Sequence, residues 1–135
     1  MESLEERIKR HEGVRLFPYK CTAGKLTIGY GRNLDDKGIT PQEADYLLTN
    51  DLAKCEREYF DLPRAVRGRC NEVRTGVLVE MIFQLGFGGV TRFQRMFQAI
   101  QNDDFAQAAE EMLDSRWAQQ TPKRCREMAE LMRTG

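Results

Sequence analysis

The sequence predicts an α+β fold, mostly helical, with a small antiparallel sheet near the N-terminus and a larger helical body after it. Three observations carry this. Two β-prone runs, 14–20 (VRLFPYK) and 26–30 (LTIGY), flank the turn string CTAGK and read as a hairpin. From Ala44 onward apolar residues recur at helical spacing almost to the last residue. No stretch rich in Pro, Gly or Ser separates the two parts, so the 135 residues are expected to form one domain with two lobes flanking a cleft. The sheet lobe is expected over about 13–60, and the helical lobe over about 61–135 together with an N-terminal helix at 2–12.

Leu4 and Ile8 stand one helical turn apart ahead of Gly13, so the first helix is short, ends on Glu12 and takes Gly13 as a left-handed terminator. After the hairpin, DDKG at 35–38 reads as a turn. Thr40-Pro41-Gln42-Glu43 is a helix start, with Thr40 as cap, Pro41 at the first helical position and Glu43 closing a capping box. Ala44, Leu47, Leu48, Leu52, Cys55 and Tyr59 then form one stripe, for a helix of about 20 residues ending near Leu62-Pro63. Further helices are expected near 64–70, 72–85, 90–101, 104–114 and 122–133, the last opening on Thr121-Pro122.

The 21 basic and 21 acidic residues cancel, which gives no reason to expect a nucleic acid or an acidic membrane surface as partner. Four cysteines at 21, 55, 70 and 125 contain no C-x-x-C pair and there is one histidine, so no zinc or other metal site is expected. They read as free thiols in a reducing compartment, because the start MESLEERIKRHEG lacks the basic and apolar regions of an export signal. The most apolar segment, VLVEMIFQLGF, is broken by Glu80 and Gln84 and is too short to cross a bilayer. The glycines of GYG and GFGG do not make a phosphate-binding pattern, so phosphoryl and hydride chemistry have no support.

Glu12 is the first candidate for chemistry. A carboxyl at the last position of a helix faces the negative end of the helix dipole, which favours the protonated form that a general acid needs. By position alone an ordinary exposed glutamate at a helix end is the better fit. Five strings decide between the two: HEGVRLFPYK, AGKLTIGYGRNL, GITPQEAD, MIFQLGFGGVTRF and SRWAQQTPKR. In this order they are spread along most of the chain, from residue 11 to residue 124, and it resembles the phage-type lysozymes, also called endolysins or muramidases.

The resemblance implies a lysozyme-like fold and a cofactor-free enzyme that hydrolyses the β-1,4 bond between N-acetylmuramic acid and N-acetylglucosamine in peptidoglycan. Glu12 would protonate the glycosidic oxygen, while Cys21 and Thr27 position or activate water on the other face of the sugar. Many relatives have aspartate where this chain has Cys21, and a buried small hydrophobe is the other reading of that thiol. Gly31, Phe83, Gln84 and Arg124 fall at substrate-cleft positions, Arg124 where relatives pair an arginine with the catalytic glutamate. Phe83 equally suits the core, Trp117 reads as lobe packing, and no substrate contact is carried onto Asn33. The partners implied are the glycan strands alone, for a monomer held in the host cytoplasm until released to the wall.

Three other readings remain. A non-catalytic or degenerate wall-binding protein would have lost activity with the acidic residue at 21. A thiol peptidase would use Cys21 with His11 as base, and a lytic transglycosylase would need Glu12 alone.

Overall fold

The computed structural model describes residues 1–135, of which 66% are helical, with one three-stranded antiparallel sheet. The chain divides into two compact units, Met1–Leu47 and Leu48–Gly135. Contacts group the first helix with the sheet, and the division falls inside the long helix.

The first unit opens with α1 (Leu4–Glu12). Its cap is a full capping box: Glu6 N–H donates to Ser3 Oγ at 3.1 Å, and Ser3 N–H donates to Glu6 Oε2 at 2.8 Å. Gly13 ends the helix at φ 67°, ψ 169°. Its φ is positive as expected, but ψ is extended rather than left-handed helical, so the chain swings straight into β1. Only glycine adopts that combination without strain.

β1 (Arg15–Lys20), β2 (Leu26–Gly29) and β3 (Arg32–Asn33) form the sheet in that order. Tyr19 pairs with Thr27 and Lys20 with Leu26, and the register slips between Arg15 and Tyr19. Pro18 lies in the slipped segment of this edge strand, where its missing N–H costs no ladder bond. The very short β3, paired Thr27 to Asn33 and Ile28 to Arg32, lies in a segment that the sequence pattern leaves unassigned.

The expected turn at 35–38 is a single-turn helix, α2 (Leu34–Lys37), whose cap is Asn33, accepting from Asp36 N–H at 3.0 Å. The α3 helix (Pro41–Tyr59) starts on the expected box, with Glu43 N–H donating to Thr40 Oγ1 at 3.1 Å and Thr40 N–H donating to Glu43 Oε1 at 2.8 Å. Arg32 grips the same carboxylate from β3 at 2.7 and 3.0 Å. Thr40 N–H first, and Arg32 after it, hold the Glu43 carboxyl below the usual carboxylate range.

The stripe along α3 is buried only at Cys55 and Tyr59, while Leu47 and Leu48 stay about half exposed. Only Gly38–Thr40 links α2 to α3, so no segment covers the near end of the stripe. Leu47 instead edges an open apolar hollow of about 740 Å³ with Ile28, Tyr30, Leu34, Ile39 and Tyr46.

The second unit is helical: α4 (Arg64–Arg67), α5 (Glu72–Leu85), α6 (Phe87–Val90), α7 (Gln94–Gln101), α8 (Phe105–Leu113), α9 (Arg116–Gln120) and α10 (Pro122–Thr134). The helix expected at 90–101 starts later, as α7 at Gln94, and α6 and α9 are additional, α9 capped by Ser115 accepting from Ala118 N–H at 3.1 Å. Leu78, Met81, Ile82, Met96, Ile100, Met112, Met128 and Met132 fill its core. All four cysteines are free thiols, Cys55 and Cys125 buried as expected and Cys70 packed against the core. No helix is long and apolar enough to cross a membrane.

Candidate active site

Glu12 stands exposed at the end of α1, and its carboxyl lies against the turn between β2 and β3. A Cβ at Gly31 would come within 2.8 Å of Glu12 Oε2 and 3.3 Å of its Cδ. Gly31 also sits at φ +77°, so glycine is required there twice: for its own backbone and for the carboxyl it admits. Lys9 crosses the Tyr30 ring at 5.6 Å, holding the last turn of α1 to the same turn of the sheet.

Cys21 and Thr27 sit at the other end of β2, in and just after the loop joining it to β1. One carbonyl organises both. Lys25 O accepts from Cys21 N–H at 2.9 Å and from the Thr27 hydroxyl at 2.9 Å. The loop is closed by Gly24 N–H donating to Cys21 O at 2.8 Å. Thr27 is 3% exposed, the one buried polar residue of the chain, while Cys21 is half-buried.

The backbone N–H groups of Lys25 and Ala23 turn towards the sulfur and hold the Cys21 thiol below its ordinary range, with a smaller contribution from the Thr27 hydroxyl. The Lys25 ammonium is engaged elsewhere, with Asp36 at 3.2 Å. It is therefore the backbone of residue 25, rather than its charge, that tunes the thiol.

The remaining candidates belong to the second unit. Arg124 on α10 donates to Glu80 on α5 at 2.9 Å, so its partner in this structure is Glu80. The two line an open hollow of about 680 Å³ with Phe83, Leu48, Leu52 and Tyr59, and Phe83 is 41% exposed. Gln84 uses both ends of its amide internally: Trp117 Nε1 donates to Oε1 at 3.0 Å, and Nε2 donates to Thr121 Oγ1 at 3.1 Å. Trp117 is 3% exposed and packs edge-on against Phe93, as the lobe-packing reading expects.

The structure thus gathers Glu12 with Gly31, Cys21 with Thr27, Phe83 with Arg124, and Gln84 with Trp117. Sequence reasoning missed Glu80 and Asp35 as partners of these groups. For Glu80 the signal was present, as a charge interrupting the apolar run VLVEMIF. For Asp35 there was none, since α2 reads as a turn.

The first unit thus sets an exposed carboxyl against a glycine turn, and in it one carbonyl accepts both the Cys21 backbone N–H and the Thr27 hydroxyl. The sequence profile described as phage lysozyme matches residues 9–133, and the chain belongs to that family. It is 28% identical over 163 aligned positions to probable T4-type lysozyme 1 of Dictyostelium discoideum, covering 100% of this chain and 96% of that protein. Because the alignment is longer than the 135 residues, this chain carries deletions relative to that one.

It is also 30% identical over 160 positions to the pre-baseplate central spike protein Gp5 of Enterobacteria phage T4, covering 98% of this chain and 28% of the other. A 51-residue stretch is 45% identical to an endolysin of Acyrthosiphon pisum secondary endosymbiont phage 1, covering 35% of this chain and 34% of that one. Lysozyme activity on peptidoglycan is the function this membership carries.

Proposed function

We propose that this chain is an endolysin that hydrolyses the β-1,4 bond between N-acetylmuramic acid and N-acetylglucosamine, acting as a monomer on the glycan strands. Its place would be the host cytoplasm until release to the wall. The observation that carries the reading is the Glu12 carboxyl, exposed and set against Gly31, where no side chain stands in front of it. A general acid must be reachable by the leaving oxygen and held in one place. Glu12 gives its proton to the glycosidic oxygen as the C–O bond breaks. A water adds to the sugar carbon, and Cys21 and Thr27 orient it, the thiolate accepting the proton it loses and the Thr27 oxygen, whose own hydrogen goes to Lys25 O, accepting a hydrogen bond from its other O–H. Phe83 and Arg124 would contact the strand, and Gln84 would support the surface they form.

Glu12→Gln tests the assignment, because the amide keeps the shape and loses the transferable proton. We expect loss of nearly all turnover with an unchanged melting temperature. Near-normal turnover by that variant would sink it. The products are read by mass: a new reducing end marks hydrolysis, an anhydro sugar a transglycosylase, a new amine a peptidase, and no new end a degenerate protein.

A further inference from the structure

We propose that Asp35 is a positioning residue for this reaction, holding the loop that carries Cys21 and Thr27 in its working shape; the inference rests on the role proposed above for those two residues. The argument starts from the sheet. β3 pairs with β2 at Thr27–Asn33 and Ile28–Arg32 and then stops, because the chain turns into α2 at Leu34. The next residue of β2, Leu26, has no further β3 residue opposite it, and its N–H would be left without a ladder partner.

Asp35 takes the place of the missing strand: its Oδ2 accepts Leu26 N–H at 2.7 Å. The peptide that ends in this N–H begins with the Lys25 carbonyl, which accepts both Cys21 N–H and the Thr27 hydroxyl. One rigid peptide plane therefore joins the Asp35 carboxylate to both residues.

Two acidic residues of α2 touch this loop, and their magnitudes differ. A carboxylate accepting a backbone N–H at this distance is a charge-assisted bond, about twice as strong as a neutral one. The Lys25–Asp36 pair is about half exposed on both sides, where such pairs contribute ~0–1 kcal/mol. Asp35 is accordingly the anchor and Asp36 an accessory. Asn33 supports both by capping the helix that carries them.

The test compares Asp35→Ala, Asp35→Asn and Asp36→Ala in the full chain, with Asp35→Ser as a milder variant, too short to reach Leu26, should alanine unfold the unit. Turnover on peptidoglycan gives kcat and KM, and site-resolved iodoacetamide labelling gives the pH midpoint of Cys21 reactivity. Removing the anchor frees the Lys25 and Ala23 N–H groups from the sulfur. We expect Asp35→Ala or Asp35→Ser to lower kcat roughly tenfold to a hundredfold with little change in KM, and to move the Cys21 midpoint up. Asp35→Asn, whose amide oxygen accepts the same N–H, should restore most of both, and Asp36→Ala should stay close to the parent.

A carboxylate acting only as a nearby negative charge predicts the opposite, since its removal by either Asn or Ala would move the midpoint down. That result, or an unchanged midpoint with Asp35→Ala and Asp35→Ser, overturns the proposal. The labelling is independent of turnover, so a fully active Cys21→Ala would remove the catalytic reading of Cys21 while leaving the loop's response to Asp35 to be read separately.

Discussion

The surroundings of Cys21 set it apart from the other three cysteines. Cys21 is neither in the apolar core, as Cys125 is, nor free in solvent; it sits in a loop whose backbone N–H groups face its sulfur. These donors stabilise the thiolate and lower the thiol's pKa, whereas burial raises those of Cys55, Cys70 and Cys125. Labelling of the native protein should therefore reach Cys21 first, with a pH midpoint below the ~8.5 of an ordinary cysteine. Turnover should fall in step with modification at 21. Cys21→Asp, which restores an acceptor of similar reach, should keep substantial activity, and Cys21→Ala should lose most of it. The reverse order, with Cys21→Ala mild and Cys21→Asp damaging, would return Cys21 to a packing role.

Among the elements, those set by local chemistry were legible in the sequence. The capping box at Thr40–Glu43 fixes the start of α3, the glycine at 13 fixes the end of α1, and α5 begins and ends where its apolar spacing does, Glu72–Leu85. The hairpin was legible from its β-prone runs; Glu12 is a candidate from its place at the end of a helix, and Cys21 and Thr27 join it only through the resemblance. The elements missed, β3, α2, α6 and α9, hold between two and five residues each. At that length periodicity has no room to show, and pairing forms β3 while side-chain caps start α2 and α9. Burial was misjudged along α3, where spacing alone cannot say whether anything lies opposite Leu47 and Leu48.

Gln84 illustrates how an element-scale bond changes the meaning of a site residue. Its amide ties α5 to α9 and to the start of α10, the helix that carries Arg124. Gln84→Leu would leave the buried Trp117 indole N–H without its acceptor, at about 1–3 kcal/mol. A thermal melt should show this loss directly. Gln84→Glu, which keeps an acceptor for the indole, should recover part of it. A Gln84→Leu variant as stable as the parent but with reduced turnover would instead make Gln84 a direct contact of the substrate.

For the molecule as a whole, the asymmetry of burial is the main physical fact. Every buried apolar side chain, from Cys55 to Met132, belongs to the second unit, and in the first only Thr27 is buried. The first unit is held instead by hydrogen bonds and partly exposed ion pairs such as Arg32–Glu43, each contributing on the order of 1 kcal/mol or less. Burial of a single large apolar side chain contributes about 1.5–3 kcal/mol, so the helical core dominates the folding free energy. The unit that carries Glu12, Cys21 and Thr27 should therefore open without the rest unfolding.

Native-state hydrogen exchange measures this. The amides of Ile28 and Arg32 should exchange with an opening free energy well below that of Leu78 to Ile82 in α5, and with weak dependence on added denaturant, because little apolar surface is exposed when they open. A core truncation such as Met81→Ala should lower the α5 values by about 2–5 kcal/mol and leave those of Ile28 and Arg32 nearly unchanged, until the two sets meet. If instead Ile28 and Arg32 exchange only with α5, at one shared free energy and with the full denaturant dependence, the sheet-bearing unit is stabilised as an inseparable part of the core.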